Sequence, residues 1–243
     1  MEKALTVKGL HKSYTNFKAV DDLCLEVKKG EFFGLLGHNG AGKSTSIECI
    51  LGVKTPDSGE IRVLGMDPVK ERKQLFEKVG VQFQETNYQT KIKVEEICKV
   101  TASLYKSPAD WRALIATFGL TGKEKRGVYE LSGGERQRLS VLLALIPRPE
   151  LVFLDELTTG LDAKARRDVW KYLKMLKSDG LTIVLTSHYM DEVETLCDRI
   201  HILKKGKTVA EGTVTEVIQS ASCENLEEAY LFYSGEEVED ENL

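Results

Sequence analysis

The run Gly37-His38-Asn39-Gly40-Ala41-Gly42-Lys43-Ser44-Thr45 fits the pattern G-x-x-x-x-G-K-[ST], and its residue types suit the capture of a phosphate chain. Glycines let backbone N–H groups turn inward around phosphate oxygens. Lys43 can bring a full positive charge to the β- and γ-phosphates of a nucleoside triphosphate, and Ser44 a hydroxyl ligand for Mg²⁺. A helix starting at Ser44 adds the partial positive charge of its N-terminus. Gly37, Asn39, Gly40, Ala41, Gly42, Lys43, Ser44 and Thr45 are the binding residues expected from this loop.

Two further groups carry chemical potential. Leu131-Ser132-Gly133-Gly134-Glu135 is followed by Arg136-Gln137-Arg138. Ser132 with Glu135 three residues on is a capping box, which predicts a helix starting at Ser132. The free N–H groups of that helix end would point at an anion outside the subunit. Downstream, the apolar run Leu151-Val152-Phe153-Leu154 ends in Asp155-Glu156. Paired acids buried beside phosphates are costly unless a divalent cation compensates them.

The elements that must position these residues can be read from pattern. The apolar run Glu31–Leu36 precedes the glycine-rich loop and Ser44–Leu51 follows it, the strand–loop–helix context the motif needs. Ala4–Gly9 and Cys24–Val27 alternate as half-buried strands do. Pro56-Asp57-Ser58-Gly59 is a turn before a strand at Glu60–Leu64, and Val79–Gln84 is a short strand ending in glutamine. Val94–Tyr105 and Ala109–Phe118 read as amphipathic helices broken at Ser107-Pro108. A helix runs from Asp162 through Leu176, and Leu181–Leu185 is a continuous apolar strand. Arg199–Leu203 and Thr208–Ala210 flank a turn at Lys204-Lys205-Gly206-Lys207, and the acidic tail Gly235–Leu243 reads as a solvated end.

Composition narrows the class. The 243 residues are 42% apolar and 30% charged, ordinary for a globular protein with a sizeable core. The net charge of −4 speaks against generic nucleic-acid binding. No apolar run approaches the roughly 20 residues a membrane span requires, and the N-terminus carries no signal-peptide core. The five cysteines (24, 49, 98, 197 and 223) have no C-x-x-C spacing, so neither a disulfide framework nor a zinc site is expected.

Leu-Ser-Gly-Gly-Glu between the phosphate loop and Asp155-Glu156 resembles the signature of ATP-binding cassette (ABC) ATPases, and the resemblance covers nearly the whole chain. It implies an α/β fold: a P-loop NTPase core with a parallel sheet, an N-terminal antiparallel β-subdomain and an inserted helical subdomain. The corresponding division is 1–84 and 146–220 for the core, 85–145 for the helical signature subdomain, and 221–243 for a C-terminal extension with an acidic tail. It also implies roles. Asp155 becomes the acid that holds Mg²⁺, with Ser44 and Gln84 as its companions. Glu156 becomes the catalytic carboxylate that polarises the attacking water. His188 becomes the switch histidine at the γ-phosphate. Gln84 senses the metal and links core to helical lobe, with Gln82 a nearby rival. Tyr14 becomes the aromatic on which adenine stacks, although it would also suit a core position in a small sheet. Ser132, Gly133 and Gly134 would face the nucleotide of a second subunit. Asp162 touches that partner or simply caps its helix. One departure stands out: the family usually has proline after the glutamate, and here it is Leu157. Leucine restores an N–H and some freedom at the turn but removes no ligand.

The expected cofactors are therefore ATP and Mg²⁺. The expected assembly is two ATPase subunits, a homodimer, around two ATP molecules, driving a separate membrane permease from the cytoplasmic face of the cell membrane. Thr186–Glu194, Gly160–Arg167 and Asn225–Tyr230 resemble bacterial exporter subunits of the ABC-2, drug-resistance type. The alternative is a soluble ABC ATPase acting on ribosomes or nucleic acid. Translation-factor relatives usually carry two cassettes per chain, and DNA-repair relatives interrupt theirs with a long coiled coil. This chain shows one cassette and no sustained heptads. A non-hydrolysing regulatory cassette is disfavoured by Glu156 and His188.

Overall fold

The computed structural model describes residues 2–83, 88–158 and 161–235. The chain begins with a three-stranded antiparallel sheet. Its central strand β1 (Lys3–Tyr14) pairs with β2 (Phe17–Lys28) on one side and β4 (Ser58–Val63) on the other. Leu5, Val7 and Leu10 of β1 and Leu23, Leu25 and Val27 of β2 are buried. The register shifts between Val7 and Leu10, where Gly9 takes φ 57°. Such a bulge breaks strict alternation. The sequence pattern therefore shows only Ala4–Gly9 and Cys24–Val27, while each strand is 12 residues long.

The second sheet positions the chemistry. Its order is β5 (Val79–Gln82), β6 (Leu151–Asp155), β7 (Thr182–Ser187), β3 (Phe32–Leu36), β8 (Arg199–Lys204) and β9 (Lys207–Thr213). The first five strands are parallel, and β9 returns antiparallel to β8. Both faces are covered, so β3, β6 and β7 are buried at every position. Alternation then divides the core. Phe33, Leu35 and Phe153 pack with α1 (Lys43–Ile50) and the antiparallel sheet. Phe32, Leu36, Val152 and Leu154 pack on the other face with α3 (Val94–Ser103), α4 (Trp111–Thr117), α5 (Gly133–Leu145) and α6 (Ala163–Ser178).

The expected α/β class, with its parallel sheet, antiparallel N-terminal sheet and helices between β5 and β6, is what the chain adopts. Some boundaries differ. The strand expected to reach Gln84 ends at Gln82, and Gln84 lies outside the described residues. Thr159, Gly160 and the acidic tail beyond Gly235 also lie outside them. The helix expected to reach Tyr105 ends at Ser103. Short helices α2 (Arg72–Leu75) and α7 (Met190–Leu196) span too few residues to show a period. In the expected extension, α9 (Leu226–Ser234) follows α8 (Val214–Ala221) and buries Leu226, Ala229 and Tyr230 in the main core. Among the described residues no helix is long and apolar enough to cross a membrane.

Candidate active site

Parallel pairing brings the candidate residues to one edge of the sheet. Leu36 at the end of β3 lies opposite Ser187 of β7, and Asp155 at the end of β6 lies opposite Thr186. The glycine-rich loop, Asp155-Glu156 and Ser187-His188 therefore leave neighbouring strands at their carboxyl ends, where open α/β sheets bind ligands.

The loop between β3 and α1 admits only certain residues. Gly42 caps α1 with φ 107°, and a Cβ there would lie 2.3 Å from the Ala19 carbonyl oxygen. Any side chain would collide with backbone. The Gly206 N–H donates to the Ala41 carbonyl at 2.9 Å, and the Asp21 N–H donates to the Gly206 carbonyl at 2.9 Å, so the β8–β9 turn and β2 buttress the loop. Lys43 folds onto the loop: Nζ donates to the carbonyls of Gly37 at 2.6 Å and His38 at 3.2 Å. Burial lowers its pKa, while the charges of Glu156 and Asp155 work against that drop. Ser44 is exposed at the first turn of α1.

The acids form a locked turn. Asp155 is buried and accepts a hydrogen bond from Thr186 Oγ1. Burial raises its pKa against the opposing bonds from Thr186 and Ser44, Glu156 adds to the rise, and Lys43 opposes it. Glu156 has φ 51°, a left-handed conformation costing a non-glycine residue about 1–2 kcal/mol. Its N–H is held by Thr186 through Oγ1 at 2.9 Å and the carbonyl at 3.2 Å. The Thr186 hydroxyl thus accepts from Glu156 and donates to Asp155. His188, exposed beyond β7, places Nδ1 3.9 Å from Glu156 Oε1.

Asn39, Gly40, Gly42, Lys43, Ser44, Thr45 and Glu156 line a cavity of about 380 Å³, together with Phe17 and Ala19. Two carboxylates meet one ammonium here, so the charge balance favours an added cation. Among the described residues no cluster of three or more His, Cys, Asp and Glu could hold a metal. A hydroxyl and one or two carboxylates suit a hard ion such as Mg²⁺ only when phosphate oxygens complete its shell. The loop residues that line the cavity, Asn39, Gly40, Gly42 and Lys43, fit those phosphates.

Tyr14 is not a core residue; it is 38% exposed. Its ring stacks on Phe17 with centroids 5.5 Å apart, and Lys12 and Lys54 place their ammonium groups within 5.6 and 5.5 Å of its centroid. Of the two rings, Phe17 lines the cavity. The signal in the sequence was an aromatic three residues beyond Tyr14, at the start of a strand. Gln82 is buried, and its amide donates to the Asp155 carbonyl at 3.2 Å and to the Phe83 carbonyl at 2.8 Å.

Ser132, Gly133 and Gly134 lie away from this cavity. Ser132 caps α5 in the expected box: Oγ accepts from the Glu135 N–H at 3.2 Å, and the Ser132 N–H donates to Glu135 Oε2 at 2.9 Å. That backbone bond, with Lys123 beside it, holds the Glu135 carboxyl below its usual range. Ser132 and Gly133 are exposed, so the helix end faces outward. Asp162 caps α6, accepting from the N–H groups of Lys164 and Ala165 at 3.0 and 2.8 Å.

Such a fold and cavity define a P-loop nucleotide-hydrolysing protein. Residues 20–159 match the family described as ABC transporter. The chain is similar to the Nod factor export ATP-binding protein I of Rhizobium etli, at 40% identity over 99% of this chain and 77% of that protein. The same protein of Mesorhizobium japonicum is 41% identical over 92% of this chain and 68% of that protein. A solved ATP-binding subunit of an ABC transporter superposes with TM-score 0.87 at 26% identity, covering 95% of this chain and 99% of the other. A dimeric ATP-binding cassette in a post-hydrolysis state with ADP and Pi superposes with TM-score 0.77 at 25% identity, covering 86% and 98%. The chain belongs to the ABC transporter family and is an ATP-binding, ATP-hydrolysing cassette.

Proposed function

We propose that this cassette pairs with a second copy around two ATP molecules and drives a separate membrane permease, as the energy subunit of an exporter at the cytoplasmic face of the membrane. The observation that carries the reading is an unfinished cavity. One subunit presents the loop and Glu156, with Asp155 buried next to it in sequence, while its own Ser132 and Gly133 are exposed at a helix N-terminus. A second subunit supplying that helix end would close the cavity over a γ-phosphate. The export direction draws on the similarity to the Nod factor export proteins.

In this reading Gly37–Thr45 hold the phosphates, and Ser44 and Asp155 hold Mg²⁺ with Gln84. Glu156 accepts a proton from water, and His188 orients it at the γ-phosphate. Tyr14 and Phe17 together give adenine an aromatic platform. Gln82, whose amide is bound to the Asp155 carbonyl, supports the acid from below. We divide the chain into a core (1–84 and 146–220), a helical lobe (85–145) and an extension from 221.

Lys43→Ala is the test of the phosphate site. It deletes a charge-assisted contact of the kind that contributes about 1.5–3 kcal/mol. Titration with a non-hydrolysable ATP analogue should show a roughly tenfold or greater loss of affinity. Unchanged affinity would mean that the phosphates sit elsewhere.

The permease is expected at the helical lobe beside the segment that follows Gln84. Arg72, Phe76, Glu77, Leu104 and Tyr105 line a groove of about 460 Å³ between α2 and the end of α3, and Leu104 is 70% exposed. An apolar side chain left in water beside a groove suits a partner's helix. Leu104→Asp should leave ATP binding intact and abolish copurification of the membrane partner from native cells. Retention of the partner would move the docking surface off this groove.

A further inference from the structure

The turn at Glu156 is held from a second side, by a residue outside the expected site. Gln137, on α5, donates from Nε2 to the Leu157 carbonyl at 2.5 Å. Leu157 is fully buried, so that carbonyl has no access to water and depends on a protein donor. Glu156, just before it, keeps its left-handed φ of 51°. A side chain in such a conformation persists only when its surroundings over-determine it. Here Thr186 of β7 grips the N–H before the bend and Gln137 of α5 grips the carbonyl after it. The two grips come from different layers of the protein, the sheet and the helical segment.

Gln137 also sits on the helix that begins with Ser132–Gly134. It lies five residues beyond the capping serine, about 7.5 Å along the axis. One end of α5 therefore meets an exterior partner while its second turn holds the carboxylate-bearing turn of the same chain.

We propose that Gln137 is a positioning residue for ATP hydrolysis. It ties the orientation of α5 to the placement of the Glu156 carboxylate, so that engagement of Ser132–Gly134 by the nucleotide of the second subunit sets the carboxylate of the subunit's own cavity. The two sites of a dimer would then be coupled through a single helix in each chain. The inference rests on the reading of the loop cavity as the nucleotide site. Leu157 has no ring to fix its own φ, so the turn relies on bonds such as this one.

The test uses Gln137→Leu, which removes the donor at similar volume, and Gln137→Glu, which keeps the shape but is an acceptor only at neutral pH. Both should lower kcat for ATP by about tenfold to a hundredfold, the scale of an ångström of misplacement at a reacting centre. KM and the affinity for a non-hydrolysable ATP analogue should stay within about twofold of wild type. In the Glu156→Gln background, Gln137→Leu should produce no further loss in single-turnover hydrolysis, because its effect passes through the carboxylate. A merely structural role would add to the loss from Glu156→Gln and would disturb KM and affinity as well. Wild-type kcat in both variants, a parallel loss of affinity, or additivity with Glu156→Gln would each overturn the proposal. Lys43→Ala, titrated alongside, separates failure of this inference from failure of the site: if Lys43→Ala binds the analogue normally, the cavity is not the nucleotide site at all.

Discussion

Glu156→Gln should bind ATP as wild type does and fail to hydrolyse it. The carboxylate lines the loop cavity, 3.9 Å from His188 Nδ1, on a turn whose backbone Thr186 fixes. The amide keeps that shape and can sit in the same bend. It cannot accept a proton from water or polarise it as a carboxylate does. General-base catalysis is worth about two to four orders of magnitude, so steady-state turnover should fall by that amount. Loss of one negative charge leaves Asp155 and Lys43 as a balanced pair beside the phosphates, so analogue affinity should hold or rise slightly. With binding intact and hydrolysis blocked, ATP should accumulate in a closed dimer, seen as a shift in hydrodynamic size that ADP does not produce. Near wild-type hydrolysis in the purified variant would remove Glu156 from the catalytic role.

The site was legible where its chemistry is local. The loop at Gly37–Thr45 needs glycine at defined positions because backbone closes in on them, and the 2.3 Å approach at Gly42 is the physical cause of that sequence constraint. The Ser132–Glu135 box was readable for the same reason, since both halves of the cap lie within four residues. Thr213 and Glu216 form another such box at the start of α8, with the same spacing, and could have been read. What escaped depends on contacts across the fold. Thr186 looks like one more residue of an apolar strand, yet its hydroxyl joins Asp155 to the Glu156 backbone 30 residues away. Gln137 reads as a polar position on a helix face, and only the packing of α5 against the end of β6 brings it to Leu157. Strand alternation alone leaves Gln82 and Gln84 on the same face, and the preference for Gln84 comes from its position before Glu85 in the family resemblance. The strand ends at Gln82, whose amide donates to the Asp155 carbonyl, and Gln84 lies outside the described residues.

Ser132→Arg should block ATP-driven dimerisation and hydrolysis while leaving nucleotide binding by the single subunit unchanged. Ser132 does not line the loop cavity of its own chain, so a lesion there cannot act on that cavity directly. It is exposed at the N-cap of α5, where a small residue leaves room for a phosphate against the helix end. Arginine fills that space. It also removes the hydroxyl that accepts from the Glu135 N–H, a cap worth roughly 0.5–2 kcal/mol, so helix fraying is a competing cause of any defect. Ser132→Asp separates the two. It keeps the cap but sets a negative charge against the phosphate, so it should also block dimerisation while melting as wild type does. Mixing Ser132→Arg with Lys43→Ala sharpens the geometry. In a mixed dimer the wild-type loop of the first variant meets the wild-type Ser132 of the second, and both lesions fall in the other site. Some hydrolysis should return if one intact site turns over alone, whereas strict cooperation between sites would suppress that rescue. Dimerisation of Ser132→Arg alone is therefore the deciding measurement. If that variant dimerises and hydrolyses ATP like wild type, α5 does not complete a site in the partner. The outward-facing helix end would then need another occupant, and coupling through Gln137 would lose its input.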